Sequence, residues 1–168
     1  MAPKKKGDRS EMSADKWKPT AAVARHPPMF EACLGRRAAD ALKLVDDAGE
    51  GLNAADEHGY TPLIYAAFND KFEAVAAKIV DAAGVKLNAK SSVGGSTALI
   101  FACERGRAAT AQLLVDRGAK LDIVGAGGKT ALDYADEKGL AAVAAAIRAK
   151  GGKTGAEVGP QQPSKKEE

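Results

Sequence analysis

Apolar residues in this chain come in short stripes of helical spacing, each broken after about two turns by Gly, Asp or Asn, and the stripes recur. "GYTPLIYAAFND" starts at Gly59, "GSTALIFACERG" at Gly95 and "GKTALDYADEKG" at Gly128, intervals of 36 and 33 residues. A second track keeps the same register. "ALKLVDDAGEGLN" (41–53), "AAKIVDAAGVKLN" (76–88) and "AQLLVDRGAKLD" (111–122) align through Val-Asp, then Gly, then Leu-Asn/Asp. Each period predicts helix, turn, helix, loop. In the unit at Gly59, Thr61 is placed to cap a helix, and Pro62 takes its first position, where a missing N–H costs nothing. The chain should turn near Asp70 and form a second helix from about Phe72 to Ala82, ended by Gly84. "VKLNAK" then extends toward a hairpin tip at Gly94-Gly95. One such unit cannot bury its own apolar face; stacked units can.

These residues resemble the ankyrin repeat, whose pattern runs Gly-x-Thr-Pro-Leu-His-x-Ala-Ala, Gly, a helix with Leu-Leu, then Gly-Ala-x-x-Asn. Gly59, Thr61, Pro62, Leu63, Ala66 and Ala67 match in one unit. Thr97, Leu99, Ala102, Gly106, Leu113, Leu114, Gly118 and Ala119 match in the next, and Gly128, Thr130, Leu132, Ala135, Gly139 and Gly151 in the last. The resemblance covers about residues 28–153 and implies an all-α repeat solenoid of helix-turn-helix units with short β-hairpin fingers. Its repeats fall at about 28–54, 55–90, 91–124 and 125–153, between tails at 1–27 and 154–168. The first repeat lacks a finger and begins at Pro27-Pro28; the last is rich in Ala and fades into polar sequence, as terminal caps do. The family His is replaced by Ile64, Ile100 and Asp133, and its Pro by Ala98 and Ala131. Those departures imply a lost hydrogen bond and a less rigid helix start. The segment between Asp70 and Gly84 is two residues longer than the family spacing, and the finger before Thr97 one longer.

Composition sharpens this. Aromatics are only 5% of the chain, and Ala supplies much of the apolar count, so the core should pack by close helix contact. No apolar run approaches the ~20 residues that span a bilayer. "MAPKKKGDRSEMSADKWKP" has no apolar stretch and carries Asp8, Glu11 and Asp15, which fits neither a secretory nor a transit signal. Residues 1–28 hold seven Lys/Arg against three Asp/Glu (+4), and residues 155–168 two Lys against three Glu (−1). The chain as a whole is +3, so residues 29–154 sum to zero. The basic character therefore belongs to the leading tail. Cys33 and Cys103 are too few for a disulfide framework, so a reducing compartment is expected.

Candidate chemistry is sparse. "GAGGKT" (125–130) looks like a phosphate loop, but the full motif needs a Gly where Ile123 stands, and no adequate strand precedes it. The same residues fit a hairpin tip followed by a helix cap. His26 and His58 are the only histidines, and with Cys33 and Cys103 they show no metal-ligand spacing. The cysteines occupy a register position of buried small residues, so inert thiols are expected. Asp46, Asp81 and Asp116 recur at the ends of the second helices and read as a solvated outer face. Tyr65, Phe101 and Tyr134 recur at another position and read as inter-repeat core. No cofactor is implied.

The informative positions are those the repeat leaves free. By the resemblance these are the finger tips and the exposed side of the first helix, which line a concave face. They are Glu57, His58, Tyr60, Phe68 and Asn69 in the second repeat, Ser96, Glu104 and Arg105 in the third, and Lys129, Glu137 and Lys138 in the fourth. Tyr60 and Phe68 are apolar where water favours polar side chains, and aromatics are common interface anchors. In the tail, Lys4, Lys5 and Lys6 suit an acidic protein surface or a nuclear-import receptor, and Trp17 suits docking on the first repeat or on a partner. The expected function is non-catalytic. It is either a protein-binding module or a small structural subunit of a larger assembly that pins its tails, of a cytoskeletal or axonemal kind, in the cytoplasm. The alternatives are a nuclear regulator addressed by the basic tail and a nucleotide-binding enzyme resting on "GAGGKT". No membrane contact is expected, and nucleic acid is not the anticipated partner.

Overall fold

The Thr-Pro step at Thr61 and the Thr-Ala steps at Thr97 and Thr130 each start a helix. Thr61 accepts a bond from the Ile64 N–H (3.4 Å), with Pro62 in the first turn, and Thr130 forms a reciprocal capping box with Asp133. The computed structural model describes residues 31–33, 35–46 and 49–159. Residues 31–33 are helical. After them come α1 (Ala38–Leu44), a 3-10 turn (Gly49–Asn53), α2 (Pro62–Phe68), α3 (Glu73–Asp81), α4 (Ala98–Glu104) and α5 (Ala108–Asp116). A second 3-10 turn (Ala126–Gly128), α6 (Ala131–Glu137), α7 (Ala141–Ala149) and a final single turn, α8 (Gly155–Val158), complete the order.

Helices α2, α4 and α6 stack as an inner layer, and α1, α3, α5 and α7 as an outer one. Each inner helix packs on the outer helix that follows it. The register explains this. Leu63, Leu99 and Leu132 are buried at one inner position, and Ala66, Ala102 and Ala135 at another, where a small side chain lets neighbouring helices approach. The outer helices bury Val75, Ala76 and Ile79, then Ala111, Leu114 and Val115, then Val143, Ala144 and Ile147. Deleting one of the buried leucines would cost about 2–5 kcal/mol. The turn from inner to outer helix is left-handed in every repeat, at Arg36 (φ 55°), Lys71 (63°), Gly106 (70°) and Gly139 (67°).

Two ladders tie consecutive repeats together. The side-chain oxygens of Asn53, Asn88 and Asp122 accept from the backbone N–H of Lys86 (2.8 Å), Lys120 (2.7 Å) and Lys153 (3.1 Å), each one repeat ahead. The recurring aspartates pair forward in the same way: Asp46 with Lys78 (2.7 Å), Asp81 with Arg117 and Asp116 with Lys150 (3.6 Å). They are exposed, as an outer face requires, but they also form a cross-repeat ion ladder that the sequence reading did not anticipate.

The fingers differ from the expectation in one respect: among the described residues there is no strand. Each finger is a turn closed at its base by a backbone bond, from Asp56 N to Tyr60 O (3.2 Å), Ser91 N to Ser96 O (2.9 Å) and Gly125 N to Lys129 O (2.8 Å). Side chains take the place of a ladder. Asp56 Oδ1 accepts from the N–H groups of His58 (2.9 Å) and Tyr60 (2.7 Å), and Ser91 Oγ accepts from Ser96 N (3.2 Å). Adjacent fingers touch through Ser92 N, which donates to His58 O (2.8 Å). A Cβ on Gly59 would sit 2.6 Å from that nitrogen, so only glycine fits there.

Residues 155–158, placed in a polar tail by the sequence, form α8, capped by Thr154. Thr154 and Glu157 make a capping box, and the turn folds back on α6. The Thr130 hydroxyl donates to Lys153 O (2.8 Å), and Gly155 N donates to Asp133 Oδ2 (2.7 Å).

Candidate protein-binding groove

The inner-helix side of the stack carries a cavity of about 360 Å³ that spans three repeats. Its walls are Tyr60, Tyr65, Phe68, Phe101 and Tyr134. Ile64 and Ala126 close its floor, Val93 stands at a finger tip, and Ser96, Glu104 and Arg105 supply polar atoms. Among the described residues the large hydrophobic side chains left exposed are Phe68 (36%) and Val93 (60%), and both line this cavity. Exposed apolar surface concentrated in one concavity marks a contact site rather than random scatter.

The aromatics brace one another. Tyr60 packs edge-on against Tyr65 (centroids 5.7 Å apart) and Phe101 (5.6 Å), and Phe68 meets Phe101 at 6.2 Å. The Tyr65 hydroxyl donates to Asp56 Oδ2 (2.8 Å), so the carboxylate that shapes the finger also fixes the groove wall. Burial first, and then that carboxylate, hold the Tyr65 phenol well above its ordinary pKa. Arg105 lies over the Phe68 ring, 3.7 Å from its centroid. At the other end Lys129 stands 5.3 Å from the Tyr134 ring centroid and pairs with Glu137 (2.5 Å).

An ankyrin-repeat family model, in three copies, matches residues 76–157. These residues are ankyrin repeats. Repeats of this kind form protein–protein interaction modules. Over 80 residues the chain is 35% identical to a protein of Arabidopsis thaliana named "Putative E3 ubiquitin-protein ligase XBAT34". That stretch is 48% of this chain and 21% of that protein, so the match covers about a fifth of the relative's length. The ligase activity in its name is said of that protein.

Against the ankyrin register, the sequence-predicted site residues divide. Tyr60, Phe68, Ser96, Glu104 and Arg105 come together along the cavity. Glu57 and His58 are exposed at the tip of the finger that carries Tyr60, with His58 Nε2 3.7 Å from a Glu57 oxygen. Asn69 is spent locally: its amide donates to Tyr65 O (2.9 Å) at the end of α2. Lys129, Glu137 and Lys138 sit beyond the Tyr134 wall and outside the cavity lining. Lys4, Lys5, Lys6, Trp17 and His26 lie outside the described residues.

The expected inter-repeat core position holds for Phe101, which is buried; Tyr65 and Tyr134 pack against the core but are half-buried, and their open sides line the cavity. One end of each ring packs between repeats while the other is open, an arrangement suited to tyrosine. Their recurrence in register was the available signal; which edge of the ring stays uncovered depends on the finger above it. Val93 was missed because a lone Val beside Gly94-Gly95 has no periodic partner.

"GAGGKT" is a finger and a helix start. Gly128 N donates to Gly125 O (3.2 Å), and the first turn of α6 is served by Asp133, whose carboxylate accepts from Thr130 N (2.7 Å) and Gly155 N (2.7 Å). A carboxylate occupies the place where a phosphate would have to sit. Cys33 and Cys103 are buried and free, and burial raises both thiols to about 12. They are poor nucleophiles. Among the described residues no cluster of three or more His, Cys, Asp or Glu could hold a metal, and no helix is long and apolar enough to cross a membrane.

Proposed function

We propose that the chain is a non-catalytic adaptor that captures a protein partner in the aromatic groove on its inner-helix face. One observation carries this: the exposed large hydrophobics, Phe68 and Val93, converge with three tyrosines and Phe101 on a single cavity. The outer face offers exposed charges already matched in an ion ladder, which leaves it little to gain from a partner. A role as a small structural subunit of a larger assembly, cytoskeletal or axonemal, belongs to the same reading, with the groove as its point of attachment. A cytoplasmic setting is supported by two buried free cysteines. Affinity purification with the full chain as bait tests the proposal. Proteins retained by the wild type should be lost with Tyr60→Ala and Phe68→Ala, and kept with Asp46→Ala and Asp81→Ala. Loss with the aspartate variants alone would move the binding face to the outer helices.

A further inference from the structure

The charged groups around the groove are almost all committed. Asp56 accepts from Tyr65 and from two backbone N–H groups. Glu137 is paired with Lys129, Asp133 with the start of α6, and Asp70 with Arg107. Arg105 rests on the face of Phe68. Glu104, at the end of α4, differs. It lines the cavity, is partly buried, and among the described residues makes no hydrogen bond or ion pair. Its charge is felt at the cavity wall: burial and then Glu104 hold the Tyr134 phenol above its ordinary pKa.

An uncommitted, partly desolvated carboxylate among aromatic rings has one natural complement. A cation on an apolar stem satisfies the carboxylate with its head, while the ring faces attract the charge and cover the methylenes. An anionic or purely apolar group would leave Glu104 buried deeper and still unpaired, at a cost. The volume, about 360 Å³, is ample for one long side chain.

Resting on the groove reading above, we propose that the groove selects a protein segment presenting a Lys or Arg side chain, with its head on Glu104 and its stem between Tyr60, Phe101 and Tyr134. Glu104 then sets specificity, and the aromatic walls supply most of the contact area. Phe68, with Arg105 over one face and the rest of the ring open, lies beside this slot and is left for an apolar neighbour of the basic residue.

The test is selection of random heptapeptides on the full chain, followed by affinity measurement on the selected peptides. Lys or Arg should be enriched next to an apolar residue. Glu104→Gln should weaken those peptides about tenfold and abolish the Lys/Arg preference, and Glu104→Lys should shift selection toward Asp and Glu. Both variants should melt near the wild-type temperature, since no bond of Glu104 is lost. Peptides that bind in a Tyr60- and Phe68-dependent way without a basic residue, or that ignore Glu104→Gln, would overturn the cation assignment and leave the groove reading standing. Selected peptides insensitive to Tyr60→Ala and Phe68→Ala would overturn both. If the wild type captures nothing but a full chain with Lys16→Ala and Lys18→Ala does, the cation comes from this chain itself and the partner assignment fails. Capture by neither also overturns it.

Discussion

The Arg105 guanidinium lies 3.7 Å from the centroid of the Phe68 ring, so the groove's most exposed ring is held by the next repeat. The contact joins the end of α2 to the end of α4 and orients Phe68 without burying it. Because the pair is partly exposed, its coupling should be modest. A double-mutant cycle of Phe68→Ala and Arg105→Ala, read by urea unfolding, should give about 0.5–1 kcal/mol. A coupling of zero would show that the two side chains do not meet in solution.

The Asn53–Asn88–Asp122 ladder should matter more to stability than the more visible ion ladder. Asn88→Ala removes the acceptor of the Lys120 N–H (2.7 Å), a cross-repeat bond at the surface, and should cost about 0.5–1.5 kcal/mol. Asp116→Ala removes only an exposed pair with Lys150 and should cost less than about 1 kcal/mol. Urea midpoints of the two variants give the comparison, and the reverse order would contradict it.

Lys71 holds the left-handed turn conformation that Gly106 and Gly139 hold in the following repeats. A side chain there is strained by about 1 kcal/mol relative to glycine. Lys71→Gly should therefore raise the melting temperature by a few degrees, against the usual destabilising effect of added glycine. Differential scanning calorimetry decides it.

Asp133 gives the fold a pH dependence of known sign. Burial alone would raise its pKa, but bonds from the backbone of Thr130 and Gly155 and the Thr130 hydroxyl outweigh that and lower it. A carboxylate with a depressed folded-state pKa stabilises the fold fully above its ordinary, unfolded value, and that contribution fades as pH falls through the folded value. The melting-temperature gap between wild type and Asp133→Ala should be widest near neutral pH and close in strong acid. A gap that widens in acid would reverse the assignment.

Much of the fold was legible because the repeat writes its contacts in register. Thr61 and Pro62, the Val-Asp-Gly track and the recurring Leu63, Leu99 and Leu132 each name a position in the stack, and helix α3 falls within a residue of its predicted ends. Less legible was whatever depends on one repeat meeting the next. Asp46, Asp81 and Asp116 recur visibly, but their basic partners sit at different register positions, Lys78 inside a helix and Arg117 and Lys150 just past one. Asp133 looked like the loss of a family histidine; its bond to Thr130 is a local helix cap, but the one to Gly155 depends on α8, which carries no periodic signal. Tyr60, Phe68, Glu104 and Arg105 could be read as free positions, but their convergence on one cavity needed the fingers in place.

The most direct test of the central claim is hydrogen–deuterium exchange of the full chain with and without a captured partner or selected peptide. Protection is expected at the finger tips and inner helices, residues 56–68, 93–105 and 126–134, with α3, α5 and α7 unchanged. Protection confined to α3, α5 and α7 would contradict the claim and place the binding face on the outer side of the stack.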